Sequence, residues 1–148
     1  MKKLAIMATL AVAAMSASAL EVGVRGSHSS GADISAVGVT VGQKFGAFGV
    51  EAGFDRTTRG VANLNKWSLV GSYDVVKLGP VALAAKAGVA TLDPSVGPNG
   101  GALLAGVGAS YPLTKKVSLV ADYYYQKGQE RVSGADGNYF SGGVKFAF

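Results

Sequence analysis

From residue 20 onward, apolar side chains occupy every second position along most of the chain. A period of two belongs to strands, and no stretch shows the 3.6-residue period of a helix. Eight runs are predicted as strands, at about 20–27, 34–43, 47–56, 64–73, 80–91, 102–111, 117–126 and 139–148. The third shows Phe48, Val50, Ala52 and Phe54 on one face, and the seventh shows Val117, Leu119, Ala121, Tyr123 and Tyr125. About ten residues is the length a tilted strand needs to cross a bilayer. The connections expected after the second, fourth and sixth strands are short (44–46, 74–79 and 112–116). Those after the first, third, fifth and seventh are longer and polar (27–33, 57–63, 92–101 and 127–138). Short turns at one rim and longer loops at the other are the pattern of an outer-membrane barrel.

A soluble lipocalin-like barrel also alternates, but with its apolar face inward. The second face decides between the two. It carries Gly23, Gly38, Gly49, Gly53, Ala84, Gly88, Gly106, Gly108 and Gly143. A water-facing surface needs far more charge than that, whereas small residues suit the crowded interior of an eight-stranded barrel. The predicted fold is therefore all-β: an eight-stranded antiparallel transmembrane up-and-down β-barrel, with valines, leucines and aromatic rings toward lipid. Two aromatic girdles are expected at the interfaces. Phe48, Tyr73 and Tyr111 form one, joined by Phe148; Phe54, Trp67, Tyr123, Tyr125 and Phe140 form the other. The inward parity also carries Glu21, Arg25, Glu51, Asp55, Lys66, Lys86, Asp122 and Lys145, four of each sign. Buried charge is costly unless paired. These eight are expected to form a lumen charge network, read either as a structural plug or as the wall of a narrow ion path.

The 148 residues include 22 glycines, no cysteine and one histidine. That excludes a disulfide scaffold, a thiolate metal site and a multi-histidine site, and no cofactor or metal is predicted. Ahead of the strands, Lys2 and Lys3 precede an apolar run that ends in Ser16-Ala17-Ser18-Ala19. This is the layout of a secretory signal peptide. Residues 1–19 are expected to be removed, leaving 20–148 as the barrel domain. Loss of those two lysines lowers the +5 formal charge. With no basic stripe left, nucleic acid is not an expected partner.

The last eight residues, Ser141-Gly142-Gly143-Val144-Lys145-Phe146-Ala147-Phe148, run polar, any, glycine, any, any, hydrophobic, any, hydrophobic. At this point the chain resembles the small eight-stranded outer-membrane β-barrels of the OmpA-barrel and OmpX/Ail type. The resemblance implies that Gly143, Phe146 and Phe148 are read by the barrel-assembly machinery, after escort by periplasmic chaperones. It also implies a non-enzymatic, monomeric protein of the bacterial outer membrane with a structural or surface-interaction role. A narrow porin-like channel is the alternative. A lipid A-modifying enzyme is a remoter one, resting on Ser27-His28-Ser29-Ser30 and Asp33 in the first outer loop. Arg56, Arg59, Lys127 and Arg131 are placed to meet lipopolysaccharide phosphates, which suit the arginine fork.

Overall fold

The computed structural model describes residues 20–30, 33–59, 64–94, 99–128 and 136–148. The expected signal peptide and Arg131 lie outside the described residues, and Arg59 is described only as backbone. Eight strands follow one another: β1 (Leu20–Ser29), β2 (Ile34–Phe45), β3 (Phe48–Arg59), β4 (Leu64–Leu78), β5 (Val81–Pro94), β6 (Gly100–Pro112), β7 (Val117–Gly128) and β8 (Gly137–Ala147). Each pairs antiparallel with the next, and β1 pairs with β8, so the sheet closes into a barrel. Closure leaves no unpaired strand edge, the condition for a sheet to lie in hydrocarbon.

Burial settles which face is which. Val37, Val39, Val41, Val50, Leu69, Val89, Leu103, Val107 and Leu119 are exposed on the outside, while Thr40, Asp55, Ser68, Asp122 and Gln126 are buried within. Val37 is 56% exposed and Asp55 only 1%. A soluble barrel would show the reverse.

The strands run further than their apolar cores. β4 continues to Leu78 through an irregularity between Asp74 and Val76, where a loop over 74–79 was expected. Polar Thr57 and Thr58 likewise stay in β3, Thr57 paired with Ala36 of β2 and Thr58 at a register shift, its Oγ1 donating to the Ser35 carbonyl at 3.2 Å. Hydrogen-bonded pairing, not side-chain polarity, ends a strand. Two turns are accordingly tight: Gly46-Ala47 and Gly79-Pro80, each with its glycine at φ +62°. That left-handed conformation is one glycine adopts without steric penalty. The third turn, 113–116, is closed by Thr114, whose Oγ1 accepts hydrogen bonds from the amides of Lys116 (3.2 Å) and Val117 (3.0 Å). These three turns and the start of β1 share one rim, the turn rim. The strand ends at Ser29 and Ile34, Arg59 and Leu64, Pro94 and Gly100, and Gly128 and Gly137 form the other rim, the loop rim.

Candidate functional site

The alternation of β1, β3, β4 and β8 projects Arg25, Glu51, Asp55, Lys66, Lys145 and Glu21 into one connected chain of ion pairs. Arg25 donates Nε and Nη2 to the two oxygens of Asp55 at 2.8 and 2.7 Å, and Nη1 to Glu51 at 3.3 Å. Lys66 Nζ lies 3.5 Å from Asp55 Oδ2, the oxygen that also accepts from Arg25 Nη2. Lys145 Nζ contacts Glu51, and reaches Glu21 at 3.7 Å. Lys86 and Asp122 form a separate pair at 2.5 Å between β5 and β7. All eight residues expected in the lumen thus enter ion pairs. The fork of Arg25 on Asp55 is the two-bond geometry that only a guanidinium provides. Two of the cations also lie over rings: Lys66 is 4.9 Å from the centroid of Tyr139, and Lys86 is 5.8 Å from that of Tyr124.

Each charge has a second requirement that its partner does not supply: room. Across the ladders, Arg25 faces Gly38 and Gly143, Asp55 faces Gly38, Glu21 and Glu51 face Gly42, Lys86 faces Gly106, Asp122 faces Gly108 and Lys145 faces Gly23. Of the eight, only Lys66 lacks a directly opposite glycine. A Cβ on Gly38 would meet the Asp55 carboxylate, one on Gly53 would come within 2.8 Å of Arg25 Nη2, and one on Gly108 within 2.7 Å of Lys86 Cε. At Gly38, Gly53 and Gly108 the missing Cβ is therefore space that an ionic side chain occupies. Gly143 is needed for a different reason, because a Cβ there would strike the backbone carbonyl of Val24 on the neighbouring strand.

The lumen differs along its length. From the turn rim a cavity of about 390 Å³ reaches up to Glu51, Lys86, Asp122 and Lys145, with Lys44, Ser72, Asp74 and Lys77 around its mouth. Beyond these charges the free space falls to pockets of about 10 and 20 Å³ beside Lys66 and Tyr139, about the room of a single water. Toward the loop rim, Val70, Ala90, Leu92, Ala102, Leu104 and Tyr124 pack together, with Leu64 and Tyr139 against them. This apolar cluster was not anticipated in a lumen expected to be polar, although Val70, Leu92 and Leu104 stand on the inward parity of β4, β5 and β6. A further ion pair, Lys44 with Asp74 at 2.7 Å, was also missed, because both residues were assigned to turns.

Outside, three aromatic pairs join neighbouring strands at directly opposed positions: Phe48 with Tyr73 (centroids 4.8 Å apart), Phe54 with Trp67 (4.6 Å) and Tyr123 with Phe140 (4.9 Å). Tyr111, Tyr125, Phe146 and Phe148 are exposed singly. Arg56 and Lys127 are exposed at the loop rim. His28 is exposed, its Nδ1 3.2 Å from Ser35 Oγ, while Ser29 points inward and is buried.

The sequence matches the family model for Gram-negative porins over residues 4–148. The chain belongs to the Gram-negative porin family. No curated protein matches the sequence significantly. Among solved structures, Neisserial surface protein A is similar, at 19% identity over 88% of this chain and 96% of that one, with a TM-score of 0.64. The outer-membrane protein Ail of Yersinia pestis, in a phospholipid nanodisc, is 14% identical over 89% and 100% of the two chains, with a TM-score of 0.59. A major outer-membrane protein of Thermus thermophilus is 16% identical over 89% and 100%, at 0.66. At these identities the likeness is one of fold. Family and fold together make this porin-family chain an outer-membrane β-barrel, with an eight-stranded fold similar to that of Ail and Neisserial surface protein A.

Proposed function

We propose that the protein is a non-enzymatic integral outer-membrane barrel with a structural or surface-interaction role. In this reading residues 1–19 are a signal peptide, residues 20–148 are the mature monomeric domain, and the loop rim faces outward. The observation that carries it is the narrowing of the lumen: above the ion pairs, Leu92, Leu104 and their neighbours pack together, and among the described residues the space beside Lys66 and Tyr139 falls to about 10 and 20 Å³. What remains for interaction is the outside. Arg56, Arg59, Lys127 and Arg131 supply cations at the loop rim, where lipopolysaccharide phosphates are the complementary partner. Gly143, Phe146 and Phe148 serve recognition by the barrel-assembly machinery, with Gly143 needed for strand packing as well. A catalytic role for the first outer loop has little support: His28 faces away from buried Ser29, and its Nδ1 lies beside Ser35 Oγ at 3.2 Å.

The large cavity at the turn rim favours a second reading, a narrow channel that opens when the apolar cluster moves. One pair of measurements tests both. Purified protein is expected to show heat-modifiable gel migration and outer-membrane fractionation, and to give no reproducible conductance in planar bilayers. Conductance from the pure protein would replace the first reading with the second.

A further inference from the structure

Each of the three turns sets an exposed apolar side chain beside a lysine: Phe45 next to Lys44, Leu78 next to Lys77, and Leu113 just before Lys115 and Lys116. Phe45, Leu78 and Leu113 are 44%, 60% and 52% exposed. The acidic side chains Asp74 and Glu21 at this end are already engaged, by Lys44 and Lys145. Among the described residues, Lys77, Lys115 and Lys116 enter no ion pair. The turn rim thus carries lysines with no acidic partner among the described residues beside exposed apolar side chains, Lys115 and Lys116 at the 113–116 turn and Lys77 at the mouth of the lumen cavity. At the loop rim the described residues mix signs, with Asp33, Asp93 and Asp136 beside Arg56 and Lys127. The lysines at 115 and 116 are also held in place, since Thr114 closes their turn and the Lys116 carbonyl accepts the Ala147 amide at 2.8 Å.

We infer that the turn rim is a binding surface for anionic glycerophospholipid headgroups of the leaflet it faces. Apolar residues at the turn tips sink that rim to headgroup depth, and the lysines meet the phosphates there. Lysine stems extend toward the interface while the ammonium stays in the polar layer. Each cation close to an anionic surface adds roughly fivefold in affinity. Three such lysines suffice to enrich a negatively charged lipid around the turns, while a zwitterionic lipid gains little. The inference rests on the membrane reading above.

The test uses the assembled protein in nanodiscs of phosphatidylcholine with a minority of phosphatidylglycerol, with retained lipid counted by native mass spectrometry. The wild type is expected to retain phosphatidylglycerol over phosphatidylcholine by roughly tenfold or more. Carrying Lys77→Gln, Lys115→Gln and Lys116→Gln together should bring the ratio within about twofold. Arg56→Gln with Lys127→Gln should leave most of it. Raising salt on the wild type should erode the ratio, a reading that needs no variant to fold. Equal retention of both lipids by the wild type, or an unchanged ratio in the lysine variant, would overturn the inference. Failure of the wild type to enter pure phosphatidylcholine discs would instead count against the membrane reading.

Discussion

The pair of Lys86 and Asp122 offers a clean measure of what the lumen charges contribute, because neither has another ion-pair partner among the described residues. Their side chains are 10% and 5% exposed, at the top of the turn-rim cavity. Replacing Lys86 by Met keeps the stem and strands the Asp122 carboxylate among Tyr124, Gly108 and the strand walls. Leaving one member of a buried pair uncompensated costs about 3 to 5 kcal/mol. Water in the adjacent cavity places this case at the lower end, about 3 kcal/mol. Lys86→Met with Asp122→Leu removes both charges and should recover most of that loss, since an apolar replacement of a whole pair is often neutral. The assay is urea titration of folding into lipid vesicles, followed by Trp67 fluorescence and by gel migration. With a slope of about 1 to 3 kcal/mol per molar urea, the single variant should shift the midpoint by about 1 to 3 M. A single variant within about 1 kcal/mol of wild type, or a double variant no better than the single, would refute the view that the carboxylate depends on its lysine.

Further outcomes follow from the same geometry. Gly106→Ala should cost several kcal/mol or block assembly, because its Cβ would lie 2.9 Å from Tyr124 Cα and against the Tyr123 carbonyl. Gly71→Ala, on the lipid face with its nearest contact at 3.7 Å, should be neutral or mildly stabilising; vesicle-folding titrations compare the two. Leu92→Ser with Leu104→Ser removes the apolar seal and should produce planar-bilayer conductance absent from wild type, whereas Lys66→Gln alone should not. Arg56→Gln with Lys127→Gln should weaken lipopolysaccharide binding by roughly tenfold in low-salt co-sedimentation. Deleting Phe148 should reduce insertion in cells, scored by the fraction of heat-modifiable protein.

The architecture was readable because two vocabularies alternate along most of each strand. Val37, Val39 and Val41 against Gly38, Thr40 and Gly42 announce a strand, and they also say which side meets lipid. Strand ends were not readable, since Thr57 and Val76 belong to the ladder by pairing that no side chain advertises. The set of lumen charges was legible from parity alone. Their partners were not: Arg25 on β1 meets Asp55 on β3, two strands away. Strand tilt decides which heights coincide inside a barrel, and tilt is absent from a linear pattern. The apolar cluster had left a visible trace, in that Leu92 and Leu104 sit where the small face should hold glycine or serine. Treating that face as uniform hid them.

The charge-and-glycine ladder bears on how such a sequence changes over generations. An ionic side chain in this barrel occupies a vacancy on the adjacent strand, so neither can wander by itself. A mutation that fills the vacancy evicts the charge, and a charge that relocates arrives where no hollow awaits it. Among relatives, then, acid or base and its facing glycine should come and go as a couple, leaving a statistical footprint between columns that never touch through side-chain atoms.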